Sequence, residues 1–106
     1  MMSQIPVDFK ELKKEVLDNE ILRIGMIAEL DAINLYEQLA VMTENKKIKE
    51  VLLDIAKEEK THMGEFQALL LTLDKEQLSE LEKGKKEVNE LTKCIHGDLV
   101  CRNILR

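Results

Sequence analysis

The feature that most constrains the fold is a pair of long helical patterns separated by one short polar break. Apolar residues recur at helical spacing on both sides of Met42-Thr43-Glu44-Asn45, a segment with the composition of a turn between helices. This pattern predicts two antiparallel helices packed as a hairpin. The first helix is expected to begin at Asp8, which can cap it and is followed three residues later by Glu11.

A shorter third helix is predicted after the hairpin. Asp74 with Gln77 three residues later matches an N-terminal cap, and apolar residues continue at helical spacing beyond it. Gly84 is expected to interrupt or bend this helix, while Gly25 either bends the first helix or permits close helix approach. The predicted class is all-α: a two-helix hairpin with a short third helix, completed to a four-helix bundle by dimerisation.

The composition favours one helical domain that associates with other chains. Of 106 residues, 44% are hydrophobic and 35% are charged, with one proline and three aromatics, which is typical of long helices. A lone hairpin of this size is too thin to bury its own apolar faces, so association is expected. We predict a helical domain over residues 1–93 and a separate tail over residues 94–106.

The net charge and the N-terminus argue against two classes of partner. A formal charge of -5 does not suit nucleic acid, which requires clustered lysine and arginine. The N-terminus lacks a basic region followed by an apolar core, so we expect a cytoplasmic protein without a membrane partner. Cys94 and Cys101 lack the spacing of a zinc ribbon or redox pair and are expected to be free thiols, with a disulfide as the alternative.

Three side chains with metal-binding atoms are predicted to meet at one height of the hairpin. Glu29 lies fifteen residues before Glu44 in the turn, and Glu59 lies fifteen residues after it. At about 1.5 Å rise per residue, both carboxylates lie about 22 Å from the turn and should face each other. His62, three residues beyond Glu59, projects from the same side of its helix.

The surroundings of these side chains favour a bound cation. A carboxylate in an apolar helix face is costly unless it is protonated, paired or bound to a cation, and no Lys or Arg lies three or four residues from Glu29. One Glu plus one Glu-x-x-His pair is half the ligand set of a di-iron four-helix bundle. Two chains would supply four carboxylates and two imidazoles, a shell suited to two ions of iron or manganese.

Other interpretations of the same residues stay open at this point. A Glu on a helix is usually solvated and a Glu-x-x-His pair often arises by chance, so Glu58 and Glu59 could belong to a surface array of ion pairs. Tyr36, seven residues after Glu29, lies either in the core or behind the ligands, where it would orient them. His96 is expected to be an ordinary exposed histidine.

The sequence around the predicted ligands resembles a known family. Segments 28–36 (AELDAINLY) and 54–62 (DIAKEEKTH) resemble the encapsulated ferritins, short relatives of ferritin and rubrerythrin that carry half a bundle per chain. The similarity covers both long helices and includes the Glu, the Tyr seven residues later and the Glu-Glu-x-x-His run in order. The chain departs from the family at Leu35, where a Trp is common, and at Ala28, where a second acidic residue is common.

The resemblance implies a ferroxidase, an enzyme that oxidises Fe(II) to Fe(III) with O2. Glu29, Glu59 and His62 from two paired chains would hold two irons at the dimer interface, and the dimers would assemble into a decameric ring. The ferric product would be stored inside an encapsulin shell, which places the protein in an encapsulin nanocompartment in the cytoplasm. Because Ala28 replaces an acidic residue, Asp31 is the candidate left for a site on the iron path.

The C-terminal tail resembles the cargo peptides that dock on encapsulin walls. Those peptides carry Gly-Asp-Leu followed by a basic residue and a closing Leu, as do Gly97-Asp98-Leu99, Arg102 and Leu105. Residues 97–105 are therefore the expected docking segment for a shell protein. The alternative is a tail that folds back on its own core.

Two rival functions accompany the ferroxidase. A rubrerythrin-like di-iron peroxidase would use the same metals on hydrogen peroxide, with electrons from a separate partner because the chain lacks the paired Cys motifs of a rubredoxin domain. A non-catalytic helical adaptor would use its tail to bind a partner and its acidic stripe as an interface only. The adaptor should be free of metal after purification in iron.

Overall fold

The computed structural model describes residues 13–94, apart from the side chains of Glu15 and Cys94. Three helices account for nearly all of this part of the chain, which contains no strand: α1 (Lys14–Met42), α2 (Lys46–Leu73) and α3 (Lys75–Cys94). The predicted all-α class is confirmed. The chain divides into two units, with α1 and α2 in the first and α3 in the second.

The helix that carries Glu29 begins later than predicted. Lys13 has an extended backbone, with φ -61° and ψ 144°, and its side chain makes no capping hydrogen bond, so α1 starts at Lys14. The expected start at Asp8 is therefore wrong for α1, because the extended Lys13 separates this helix from any residue before it. Asp8 itself lies outside the described residues.

Residues 43–45 connect α1 to α2, as the polar break predicted. Oδ1 of Asn45 accepts hydrogen bonds from the backbone N–H groups of Lys47 and Ile48, at 3.0 and 3.2 Å. These bonds satisfy two of the amides that the first turn of a helix leaves unpaired. A connection of three residues leaves the two helices antiparallel and in contact, which confirms the predicted hairpin.

The core of the hairpin is small and lies between α1 and α2. Among the described residues, four side chains are buried, two from each helix: Ile33, Ala40, Ala56 and Leu70. At Gly25 a Cβ would lie 3.0 Å from the ring of Phe66, so this glycine permits close helix approach, and α1 runs through it as one helix. Close approach is one of the two roles that the sequence left open.

The second unit confirms the predicted cap of α3. Oδ1 of Asp74 accepts a hydrogen bond from the backbone N–H of Gln77 at 3.0 Å. The helix continues through Gly84 to Cys94, so the predicted interruption is wrong. A single glycine costs about 1 kcal/mol relative to alanine, which is too little to end a helix of this length. Apart from Cys94, the predicted tail over residues 94–106 lies outside the described residues.

Large apolar side chains remain exposed on the hairpin. Val41 is 81% exposed and Met42 is 77% exposed, and further leucines, isoleucines and valines are about half exposed along both helices. Exposure on this scale favours burial against another chain. Completion of a four-helix bundle by a second copy stays a prediction. Over the described residues, no helix combines the length and hydrophobicity needed to cross a membrane.

Candidate metal centre

The two long helices bring three predicted ligands together near the middle of the hairpin. Glu29 projects from α1, while Glu59 and His62 project from one side of α2, where a spacing of three residues places side chains on the same face. One carboxylate oxygen from each Glu and one ring nitrogen of His62 all lie within 4.8 Å of one another. Within residues 13–94, no other group of three such side chains lies this close.

The imidazole lies between the two carboxylates. Nδ1 of His62 is 3.4 Å from Oε2 of Glu59 and 3.8 Å from Oε2 of Glu29. The side chains of Glu29 and Glu59 are only 19% and 20% exposed, whereas that of His62 is 46% exposed. The cluster is therefore open to solvent on the histidine side and closed on the glutamate side.

The Glu29 carboxylate indicates that the residues present fit a metal ion. Its Oε2 is shielded from solvent and accepts no hydrogen bond within the described part of the chain. Burying a carboxylate oxygen without a partner is unfavourable, and a cation bound by all three groups would remove that cost. Carboxylate oxygens with an imidazole nitrogen form a donor set suited to iron, manganese or zinc.

The nearest lysine in sequence is engaged elsewhere. Lys60 follows Glu59 directly, but its Nζ lies 3.1 Å from Oε1 of Glu37 on α1, and both side chains are largely exposed. This ion pair bridges the two helices on the outside of the hairpin. Glu59, one of the two residues of the surface-array interpretation, instead lies with Glu29 and His62.

The two residues predicted to assist the centre lie outside the cluster. Asp31 and Tyr36 are half-buried side chains of α1, and neither contributes an atom to the group of three. Their predicted roles, on the iron path for Asp31 and behind the ligands for Tyr36, stay predictions. His96 and the proposed docking segment 97–105 lie outside the described residues.

One contact beside the cluster was not expected from the sequence. The ring of Phe66 lies against Gly25, one turn of each helix away from the ligands. Gly25 precedes Glu29 by four residues, and Phe66 follows His62 by four. Phe66 lies on the same face of α2 as His62, one turn further on, and the lone glycine in α1 was the available signal for a close approach there.

Comparison with known proteins places this geometry in a family. The rubrerythrin family model matches residues 20–100. The crystal structure of an encapsulated ferritin domain from Pyrococcus furiosus is similar, with a TM-score of 0.77 and 49% sequence identity, over 88% of this chain and 97% of that domain.

Two curated proteins are also similar in sequence. The chain is 59% identical over 80 residues to a ferritin-like–encapsulin shell fusion protein of Pyrococcus furiosus, and 32% identical over 82 residues to the encapsulin nanocompartment cargo protein EncC of Myxococcus xanthus. These matches cover 76% and 74% of this chain but 23% and 63% of the two relatives. The chain thus spans less than two thirds of the length of either relative. The matched family and domain show that the chain belongs to the rubrerythrin family and, within it, to the encapsulated ferritins.

Proposed function

We propose that the protein is a ferroxidase that oxidises Fe(II) with O2 at a di-iron centre shared by two chains. The observation that carries this proposal is the inward-facing group of Glu29, Glu59 and His62, with a shielded Glu29 oxygen that accepts no hydrogen bond within residues 13–94. One chain supplies half of the ligand set that a di-iron four-helix bundle uses. Two chains related by two-fold symmetry supply the whole set, with two irons per dimer.

The ligand chemistry favours loss of an electron from ferrous iron. Two copies of Glu29 and Glu59 bring four negative charges to one interface, and anionic oxygen ligands stabilise a trivalent ion more than a divalent one. The His62 rings complete the set and, being partly exposed, leave the centre accessible from solvent. The shielded glutamate side excludes water from the carboxylates and strengthens their attraction for the cation.

The electron balance sets the stoichiometry of the reaction. Each ferrous ion gives up one electron, and two electrons with two protons convert one O2 to one H2O2. Iron is here the substrate as well as the occupant of the site, and the ferric product leaves for storage. Steady oxidation therefore predicts one O2 consumed for every two ferrous ions.

The names of the two relatives support a proposal about where in the cell this reaction takes place. One is named as a fusion to an encapsulin shell and the other as an encapsulin cargo protein. We propose that this chain forms dimers and a decameric ring, lies inside an encapsulin nanocompartment in the cytoplasm, and docks on the shell through residues 97–105.

Paired substitutions on α2 test the ferroxidase. Glu59→Gln removes a proposed ligand, whereas Glu58→Gln makes the same change one residue earlier, at an exposed position outside the cluster. We expect Glu59→Gln to slow Fe(II) oxidation at least about 100-fold, since metal ligands and the groups that orient them each contribute strongly. Glu58→Gln should oxidise iron at the wild-type rate. If the two variants oxidise Fe(II) at the same rate, the assignment of Glu59 as a ligand is wrong.

The family match favours a peroxidase as the second candidate, because the matched model is that of rubrerythrin. In that reaction H2O2, two electrons and two protons give two waters; the electrons would pass through the metals of the centre and come from a separate partner protein. Oxygen and peroxide electrodes distinguish the candidates in the same assay. A ferroxidase consumes O2 without added peroxide; consumption of peroxide with no uptake of O2 assigns the peroxidase instead.

A truncation tests the proposed docking segment. Removal of residues 97–106 leaves Glu29, Glu59 and His62 in place, so Fe(II) oxidation by the purified protein should be unchanged. When the truncated chain and an encapsulin shell protein are produced together, we expect the chain to be absent from purified shells that retain the full-length chain. Retention of both chains in the shell to the same extent would contradict docking through this segment.

A further inference from the structure

The ring of Phe66 lies face-on against the backbone of Gly25. A Cβ built at Gly25 would lie 3.0 Å from Cε1, 3.1 Å from Cδ1 and 3.1 Å from Cδ2 of that ring. The two Cδ atoms lie on opposite edges of the ring, so their equal distances show that the ring covers the position of the missing methyl group. No side chain larger than hydrogen fits at Gly25 unless the ring moves.

This contact is unlike those of the other described glycines. A Cβ at Gly64 on α2 or at Gly84 on α3 would meet no atom within 4 Å. A methyl group at Gly64 or Gly84 would therefore meet no obstacle within the described part of the chain. Gly25 alone among the three has a ring against it.

The contact lies next to the candidate metal centre. Gly25 is four residues before Glu29 on α1, and Phe66 is four residues after His62 on α2. In an antiparallel pair of helices, these offsets place the contact about 6 Å along the axis from the ligands, one turn away. The spacing of the helices at one turn limits their spacing at the next, since a helix bends little over a single turn.

We propose that Gly25 and Phe66 are positioning residues for the metal centre: their contact sets the helix separation at which His62 reaches Glu29. The proposal rests on the proposed function and extends it to residues that bind no metal. Nδ1 of His62 and Oε2 of Glu29 are 3.8 Å apart across the two helices, so a small increase in separation removes them from a common ion. Metal-ligand bonds tolerate errors of only about 0.2 Å.

The size of the required shift is comparable with that tolerance. Contacts of 3.0–3.1 Å between a Cβ and ring atoms are tighter than almost all real ones, so the ring must move by a few tenths of an ångström. Phe66 is half-buried and is part of α2. The proposal requires that the ring moves together with α2, which takes His62 away from α1.

A double-mutant cycle with Co²⁺ as the probe tests the proposal without any catalytic assay. The variants are Gly25→Ala, Phe66→Leu and the double variant, all in the full-length chain, with Gly64→Ala and Gly84→Ala as matched controls. Affinity is measured by calorimetry, and the visible absorption of bound Co²⁺ reports its coordination geometry. Circular dichroism of the metal-free variants reports helix content.

We expect Gly25→Ala to weaken Co²⁺ binding at least about 10-fold and to change the Co²⁺ spectrum, as loss of a group that orients a ligand does. The two control variants should bind within about 2-fold of wild type, since a methyl group there meets no described atom of this chain within 4 Å. Phe66→Leu gives the methyl group room, so the double variant should bind within about 3-fold of Phe66→Leu alone. Wild-type affinity in Gly25→Ala, or weakened binding that Phe66→Leu does not restore, would overturn the proposal.

Two further outcomes are also decisive. If Gly25→Ala does not fold, the double variant decides. A double variant that folds and binds Co²⁺ about as tightly as Phe66→Leu supports the proposed role of the contact, and any other result overturns the proposal. If the wild-type chain itself binds no Co²⁺, the proposed function fails and this inference fails with it. If the wild-type chain binds Co²⁺ through Glu59 and His62 and Gly25→Ala binds it equally well, the inference about Gly25 is wrong while the proposed function stands.

Discussion

Glu29 is a residue whose position is costly for the stability of the metal-free protein. Its Oε2 is shielded from solvent and accepts no hydrogen bond within residues 13–94, and Nδ1 of His62 lies 3.8 Å from it. In the metal-free protein such a carboxylate opposes folding, because the charge has lost water without gaining a full partner. A residue that is unfavourable for stability at the centre of a helix pair is expected at a binding site.

Neutralising this carboxylate should stabilise the metal-free protein and at the same time abolish metal binding. We expect Glu29→Gln to raise the free energy of unfolding of the chelator-treated protein by about 1 kcal/mol, because a neutral amide costs less to bury. The same variant should lose Co²⁺ binding. Glu37→Gln is the control, since it removes an exposed charge paired with Lys60 and should change stability by less than about 0.5 kcal/mol. Chemical denaturation measures the free energy of unfolding of both variants. A Glu29→Gln variant less stable than the wild-type chain would contradict the cost assigned to the charge of Glu29.

At the residue scale, the sequence predicted which candidate ligands come together but not the contact beside them. Glu29, Glu59 and His62 could be paired because equal distances from a short turn place residues of antiparallel helices at equal height. The inward turn of the two carboxylates could be expected from the apolar residues around them. The contact between Gly25 and Phe66 was not predicted, because a glycine in a helix can mark a bend or a close approach and the sequence gives no distance.

At the scale of elements, local signals predicted most boundaries. Asn45 and Asp74 cap α2 and α3 through hydrogen bonds within three residues, so a sequence pattern is enough to place them. The start of α1 was misplaced because a matching cap pattern at Asp8 does not ensure that the helix continues through Lys13. The break expected at Gly84 is absent from α3, since one glycine is a modest cost in a long helix.

At the scale of the whole molecule, the proposed dimer would account for both the exposed apolar surface and the half set of candidate ligands. Val41 and Met42 are among many apolar side chains that remain exposed, and the buried core of the hairpin consists of four residues over the part of the chain that the structure describes. A second copy would cover apolar surface and supply the other half of the ligands. Sequence composition predicted this need for association, because a chain of 106 residues in two long helices has little interior.

The most direct test of the shared centre is native mass spectrometry of the full-length chain, with and without Fe(II) added in the absence of oxygen. We expect assemblies with an even number of chains that take up one iron per chain, and the same assemblies without that iron when Glu59 is replaced by Gln. A monomer that binds iron alone, or an assembly that binds no iron or keeps the same amount in Glu59→Gln, would contradict it.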